Sequence, residues 1–161
     1  MDLRERKVHF FSINPWLTMC ALICEDLARQ DPVAEVLRSV GPNLIVALLM
    51  DGPQLQMRWS GKYATVFADD PGSSVLCLTS LGMATLSKPP GPSDIDSTRR
   101  VVGLWKDAKT GAREIELSND VNAVVLSINR TYQKEWSADG RDDGGTTSYL
   151  TFGRLHDVRV E

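Results

Sequence analysis

The sequence predicts an α/β fold in which one sheet is layered against helices. Three features carry that expectation. Short, almost wholly apolar runs recur at residues 17–24, 43–50 and 74–79. Segments with helical spacing of apolar residues separate them. Gly, Pro and Asp clusters punctuate the changes, at Gly41-Pro42, at Asp51-Gly52-Pro53 and across residues 69–72. Strands that alternate with helices build α/β layers. Strands apolar at nearly every position are packed on both faces.

The elements follow in order. Residues 8–13 read as a strand, and Asn14-Pro15-Trp16 turns it, because Asn-Pro initiates turns. The pair 8–13 and 17–24 forms a hairpin whose second strand is buried. Residues 26–40 carry Leu27, Val33, Val36, Leu37 and Val40 on one helical face. Asp31-Pro32 splits that run or begins a fresh helix with Asp31 as its cap, since proline suits the first helical turn. Residues 43–50 form the next buried strand. A helix over 55–68 uses Leu55, Trp59, Tyr63, Val66 and Phe67, weakened by Gly61. Residues 74–79 form another strand. A loop rich in proline spans 87–98. Strands 101–105 and 113–117 make a hairpin with Gly111 in its turn. Residues 122–128 are a strand, 131–147 a polar loop, and 148–160 a last strand. No internal repeat is present, and the 161 residues fit one domain.

Bulk composition excludes several classes. Hydrophobic content is 42%, charged content 24% and net charge −3, so the chain has no electrostatic footprint for nucleic acid or an anionic membrane. The longest apolar run, residues 44–50, is too short to span a bilayer. Cys20, Cys24 and Cys77 are an odd number without zinc-type spacing. No metal or cofactor is expected, and three thiols without a framework suit a reducing, cytoplasmic setting.

Cys24 is the candidate reactive residue. It ends a buried strand just before a helical segment. There the strand fixes the sulfur, and the following backbone N–H groups lower a thiol pKa and offer an oxyanion site. The Glu25 N–H is the natural oxyanion donor, and Asp26 could cap the helix start. A free buried cysteine is otherwise a small hydrophobe. His9 and His156 read as structural or surface residues. Trp16, Trp59, Trp105 and Trp136 read as core or interface anchors. Residues 139–145 lack the acid pattern of a calcium loop and read as solvated.

Leu22-Ile-Cys-Glu-Asp-Leu resembles the nucleophile motif of the nitrilase (carbon–nitrogen hydrolase) superfamily. The likeness extends through a Pro32-containing helix into Gly41-Pro-Asn-Leu-Ile-Val-Ala-Leu-Leu. Arg58-Trp59 with Tyr63-Ala64 resembles the helix that follows, and Ser74-Val-Leu-Cys-Leu-Thr-Ser-Leu-Gly the next strand. It covers residues 8–82, and strand order alone carries it to 128. The resemblance implies a nitrilase-like α-β-β-α sandwich, here apparently lacking the N-terminal part. It also implies thiol-dependent hydrolysis of a small amide or nitrile by Cys24, with a glutamate as base and a lysine steadying the intermediate.

The chain departs from that pattern upstream of Cys24. Glu5 is the only earlier glutamate and lies in no base-like motif. Arg6-Lys7-Val8-His9-Phe10 resembles the segment holding the family's lysine, but Lys7 precedes Cys24 by only 17 residues. Two alignments are therefore open: Lys7 as catalytic lysine, or as a solvated lysine at the edge of the strand before the nucleophile strand. The second preserves the hairpin and is preferred. Half a sandwich leaves one sheet face to be covered by a homo-oligomer mate or by a partner chain or segment. The alternative function is a catalytically silent binding or assembly module.

Overall fold

A computed structural model describes residues 7–87, 100–134 and 145–160. Its main sheet has six strands in the sequential order β1 to β6. These are β1 Phe10–Asn14, β2 Leu17–Ile23, β3 Leu44–Leu48, β4 Ser74–Leu78, β5 Val101–Asp107 and β6 Gly111–Glu116. β2, β3 and β4 run parallel at its centre, and the flanking pairs β1–β2, β4–β5 and β5–β6 are antiparallel. The helices are α1 Glu35–Val40, α2 Trp59–Asp69 and α3 Leu81–Leu86. Two long strands, β7 Ala123–Lys134 and β8 Thr146–Val158, pair antiparallel as a separate sheet.

The pleat divides the central strands into two faces. On one, Cys20, Leu22, Ile45, Ala47, Val75, Cys77 and Leu104 pack with Leu27, Val33, Leu37, Ala64 and Phe67 from the crossover segments. Both parallel crossovers therefore bring helical segments to the same side. On the other face Leu44, Trp105 and Ile115 pack with Leu150, and Val124, Leu126, Ile128, Phe152 and Leu155 close around them. The chain's own β7–β8 hairpin thus occupies the sheet face that the sequence left for a partner. Burial on both sides explains why β3 and β4 show no polar alternation.

The hairpin reaches this position through a register shift between Leu126 and Ile128. Gly153 faces that shift. A Cβ there would lie 2.4 Å from the Ser127 carbonyl oxygen, so only glycine permits the approach.

Several element boundaries differ from expectation. A one-turn 3-10 helix spans Cys24–Ala28, a wider turn Gln30–Ala34 follows, and the regular helix is only Glu35–Val40. Asp26 lies inside the 3-10 turn rather than capping it, and no side chain caps that start. Asp31 keeps an extended backbone (φ −112°, ψ 129°) and no side-chain cap closes this turn either. α2 starts at Trp59, four residues later than its apolar spacing suggests, because residues 54–58 turn around buried Gln54. Its Nε2 donates to the Gly52 carbonyl at 2.8 Å, and Ser60 Oγ donates to its Oε1 at 2.8 Å. The polar stretch 131–147 is strand at both flanks, 131–134 in β7 and 146–147 in β8. Residues 88–98 of the expected proline-rich loop, Trp136, and 139–144 of the calcium-like stretch lie outside the described residues, as does Glu5.

Candidate functional site

Cys24 terminates β2 and opens the 3-10 turn. Its backbone is left-handed, with φ at +50°, one of two such non-glycine residues among those described. A left-handed cysteine costs about 1–2 kcal/mol relative to the ordinary helical region. Non-glycine residues held this way concentrate where a fold must aim a side chain. The turn sits at the carboxyl end of the parallel trio β2–β3–β4, the end where open α/β sheets place ligands. Cys24 is partly exposed, whereas Cys20 and Cys77 are fully buried. Burial pushes the Cys20 thiol up to about 11 and the Cys77 thiol up to about 12. Those two behave as apolar core residues facing the helices.

Beside Cys24 the sheet presents an uncharged, apolar surface. The parallel registers align Ile23 with Leu48, and Leu48 with Leu78. This row lies on the hairpin-covered face, beyond the reach of the hairpin's core contacts, and Ile23 and Leu48 remain 67% and 49% exposed. With Met50, Thr79 and Ser80 they line a shallow cavity of about 300 Å³. A comparable cavity of about 320 Å³ opens at the opposite end of β3, around Gly41, Asn43, Asp69 and Tyr149. Cys24 lines neither cavity; its chain neighbour Ile23 lines the first.

The loop after β3 is fixed by Asp51. Its Oδ1 accepts from the Gly52 N–H and Arg58 Nη2, both at 2.7 Å, and its Oδ2 from Trp59 Nε1 at 2.8 Å. Thr79 Oγ1 donates to the Asp51 carbonyl at 2.5 Å, tying this loop to the end of β4. Burial alone would raise the Asp51 pKa. The Gly52 N–H, the Trp59 indole and the Arg58 guanidinium outweigh it and hold the carboxyl below its ordinary 3.8. Asp51 therefore buttresses the rim of the cavity as an anion at neutral pH. Sequence reading passed over it. The signal was an Asp-Gly-Pro turn followed by Arg58-Trp59, whose donors converge on one carboxylate.

The sequence-derived site residues meet this geometry unevenly. Glu25 follows Cys24 directly in the 3-10 turn, with its side chain exposed. Lys7 is exposed and lies outside β1. The β1–β2 register pairs Phe10 with Cys20 and Phe11 with Met19. Continued outward by three residues, it sets Lys7 across from Ile23, next to the nucleophile turn. Val8 packs on the helix-side core, in keeping with that course. Among the described residues no Cys–Glu–Lys triad is assembled and no carboxylate hydrogen-bonds the Cys24 thiol. Nor is there, among them, a group of three or more His, Cys, Asp or Glu residues able to hold a metal ion. No described helix is long and apolar enough to cross a membrane. His156 is exposed on β8 opposite Val125, and His9 stacks on Phe11 at 6.3 Å.

No protein-family pattern, curated protein or solved structure matches the chain. The class that fold and site define is a mixed α/β protein, its crossover helices on one face of the main sheet and a β-hairpin on the other.

Proposed function

We propose that the chain is a nitrilase-like carbon–nitrogen hydrolase domain of the α-β-β-α sandwich kind that hydrolyses a small amide or nitrile through Cys24. The observation that carries this reading is the left-handed backbone of Cys24 at the end of β2, in the segment Leu22-Ile-Cys-Glu-Asp-Leu. The thiolate attacks the carbonyl carbon of an amide. The Glu25 N–H faces the oxyanion that develops, and the C–N bond breaks as the leaving nitrogen gains a proton. Water then cleaves the thioester to a carboxylic acid and restores the thiol. The acyl portion rests against Ile23, Leu48 and Leu78, whose uncharged surface favours a short apolar acyl group over an acidic or basic one.

The general-base glutamate comes from another segment or chain. Lys7, upstream of β1, supplies the positive charge that steadies the intermediate. The setting is the cytoplasm, where a reactive thiol stays reduced.

A second reading has its own observation. Ile23, Leu48 and Met50 form an exposed apolar rim, with Met50 78% exposed, and such rims mark binding surfaces. On this reading the same scaffold is a silent module docked by its strand ends. Hydrolysis of a panel of short aliphatic amides and nitriles separates the two. Turnover in the wild type that is lost in Cys24→Ala, with a thioester mass adduct on Cys24, supports the hydrolase. Turnover undiminished in Cys24→Ala refutes it, and absence of both turnover and adduct leaves the silent module.

A further inference from the structure

The two edges of the main sheet differ in chemistry. β6 carries Arg113, Glu114 and Glu116. Charged side chains of this kind stop an edge from pairing with another chain. Glu114 Oε1 further accepts the Gln56 N–H at 2.9 Å, and Arg113 stacks 5.0 Å over Phe152, so that edge is engaged from within. β1, at the other edge, reads Phe-Phe-Ser-Ile-Asn and contains no charge and no proline. Among the described residues no strand pairs with its outer side. Phe11 is 46% and Ile13 55% exposed.

The edge is also held in shape. Asn14 Oδ1 accepts from the Trp16 N–H at 3.0 Å, closing the β1–β2 turn. Arg130 of β7 stacks over Trp16 at 5.3 Å and over Tyr132 at 4.7 Å, pinning that turn to the hairpin. A preformed, uncharged, apolar edge is a template for strand addition.

We propose that β1 is the contact by which two copies of this chain associate, pairing antiparallel across a two-fold axis near Ser12. A second copy fits for a specific reason. Self-pairing of β1 brings no like charges together, and it sets Phe11 of each copy beside Ile13 of the other, an aromatic–aliphatic pair of the kind that stabilises antiparallel ladders. The net charge of −3 opposes association weakly. The register irregularity between Ser12 and Asn14 keeps the shared ladder short, so the dimer is weak and forms with rising concentration. This inference is independent of the chemistry assigned to Cys24.

Sedimentation of the full chain from about 1 to about 300 µM tests it, a span matched to weak association. The mass moves from 17.8 kDa toward twice that value with rising concentration. Ile13→Lys or Phe11→Lys, each at an exposed position and checked for folding by circular dichroism, shifts the midpoint upward by roughly tenfold or more. Leu86→Lys, at an exposed apolar position on α3, which packs beside β5, leaves it unchanged. A wild type that stays at 17.8 kDa throughout, a dimer indifferent to both β1 lysines, or an equal shift by Leu86→Lys overturns the proposal.

Discussion

Cys24→Gly leaves the folded chain more stable than Cys24→Ala. The two variants lose the same sulfur, so their difference isolates the backbone. Cys24 holds φ at +50°, where a residue with a Cβ is about 1–2 kcal/mol worse off than glycine. Glycine loses about 0.5–1 kcal/mol more chain entropy than alanine on folding. At the midpoints of the two ranges the remainder favours glycine by roughly 0.75 kcal/mol. For a urea m-value near 2 kcal/mol/M, that is about 0.3–0.5 M in the midpoint. In a chain of 161 residues it is about 1–4 °C in Tm. Paired urea titrations of both variants, fitted with a shared slope, resolve this. If Cys24→Ala equals or exceeds Cys24→Gly, the turn is not strained, and the geometric case for an aimed thiol fails with it.

Further outcomes follow from the same packing. Gly61→Ala puts a Cβ 2.3 Å from the Gln56 carbonyl oxygen, and the obstacle is backbone rather than a side chain that could swing away. It costs about 1–3 kcal/mol, read as a lowered urea midpoint. A thiol titration of the folded protein finds one fast-reacting cysteine and, after unfolding, all three, because Cys20 and Cys77 are sealed in the core. Asp51 and Asp107 both have lowered pKa values. At Asp107 burial raises the pKa, but the Thr110 hydroxyl and N–H, the Trp105 indole and the Lys109 N–H outweigh it. The stability both confer is complete above the unfolded value near 3.8 and is lost as pH falls through their lower folded values. The urea midpoint therefore drops as pH falls below about 4, and Asp107→Asn makes that dependence shallower while weakening the protein at neutral pH.

Much of the parallel core was legible because each central strand is apolar throughout and closed by Gly, Pro or Asp. The strand at 44–48 and the one at 74–78 fall within a residue or two of their sequence bounds. Helix α3 was missed. Ser80 caps it through the Met83 N–H at 3.2 Å, but its six residues are too few to show a periodicity. The start of α2 was hidden because Leu55 continues the apolar spacing while Gln54, a polar residue in the core, sets the turn. The covering hairpin was the largest gap. Val124, Leu126, Ile128 and Phe152 suggest strands, but nothing in a single sequence says that they fold over the Leu44 and Trp105 face rather than extend the sheet. At the site, the position of Cys24 at a strand end was readable from its apolar run. Its left-handed backbone was not, since cysteine seldom adopts one. The turn at Asp51 was legible, but its role was not, because the Arg58 and Trp59 donors converge on its carboxylate only in space.

The central claim is that the fold activates Cys24, and its acylation rate tests this most directly. A small neutral thiol-acylating probe is mixed near neutral pH with the native chain and with the same chain in urea, and modification of Cys24 is followed by peptide mass. An activated thiol, aimed from its strained turn beside the Ile23–Leu48 surface, acylates at least about tenfold faster in the native chain, equivalent to about 1.4 kcal/mol of barrier. A native rate equal to or below the unfolded one identifies Cys24 as an ordinary half-buried cysteine and contradicts the account.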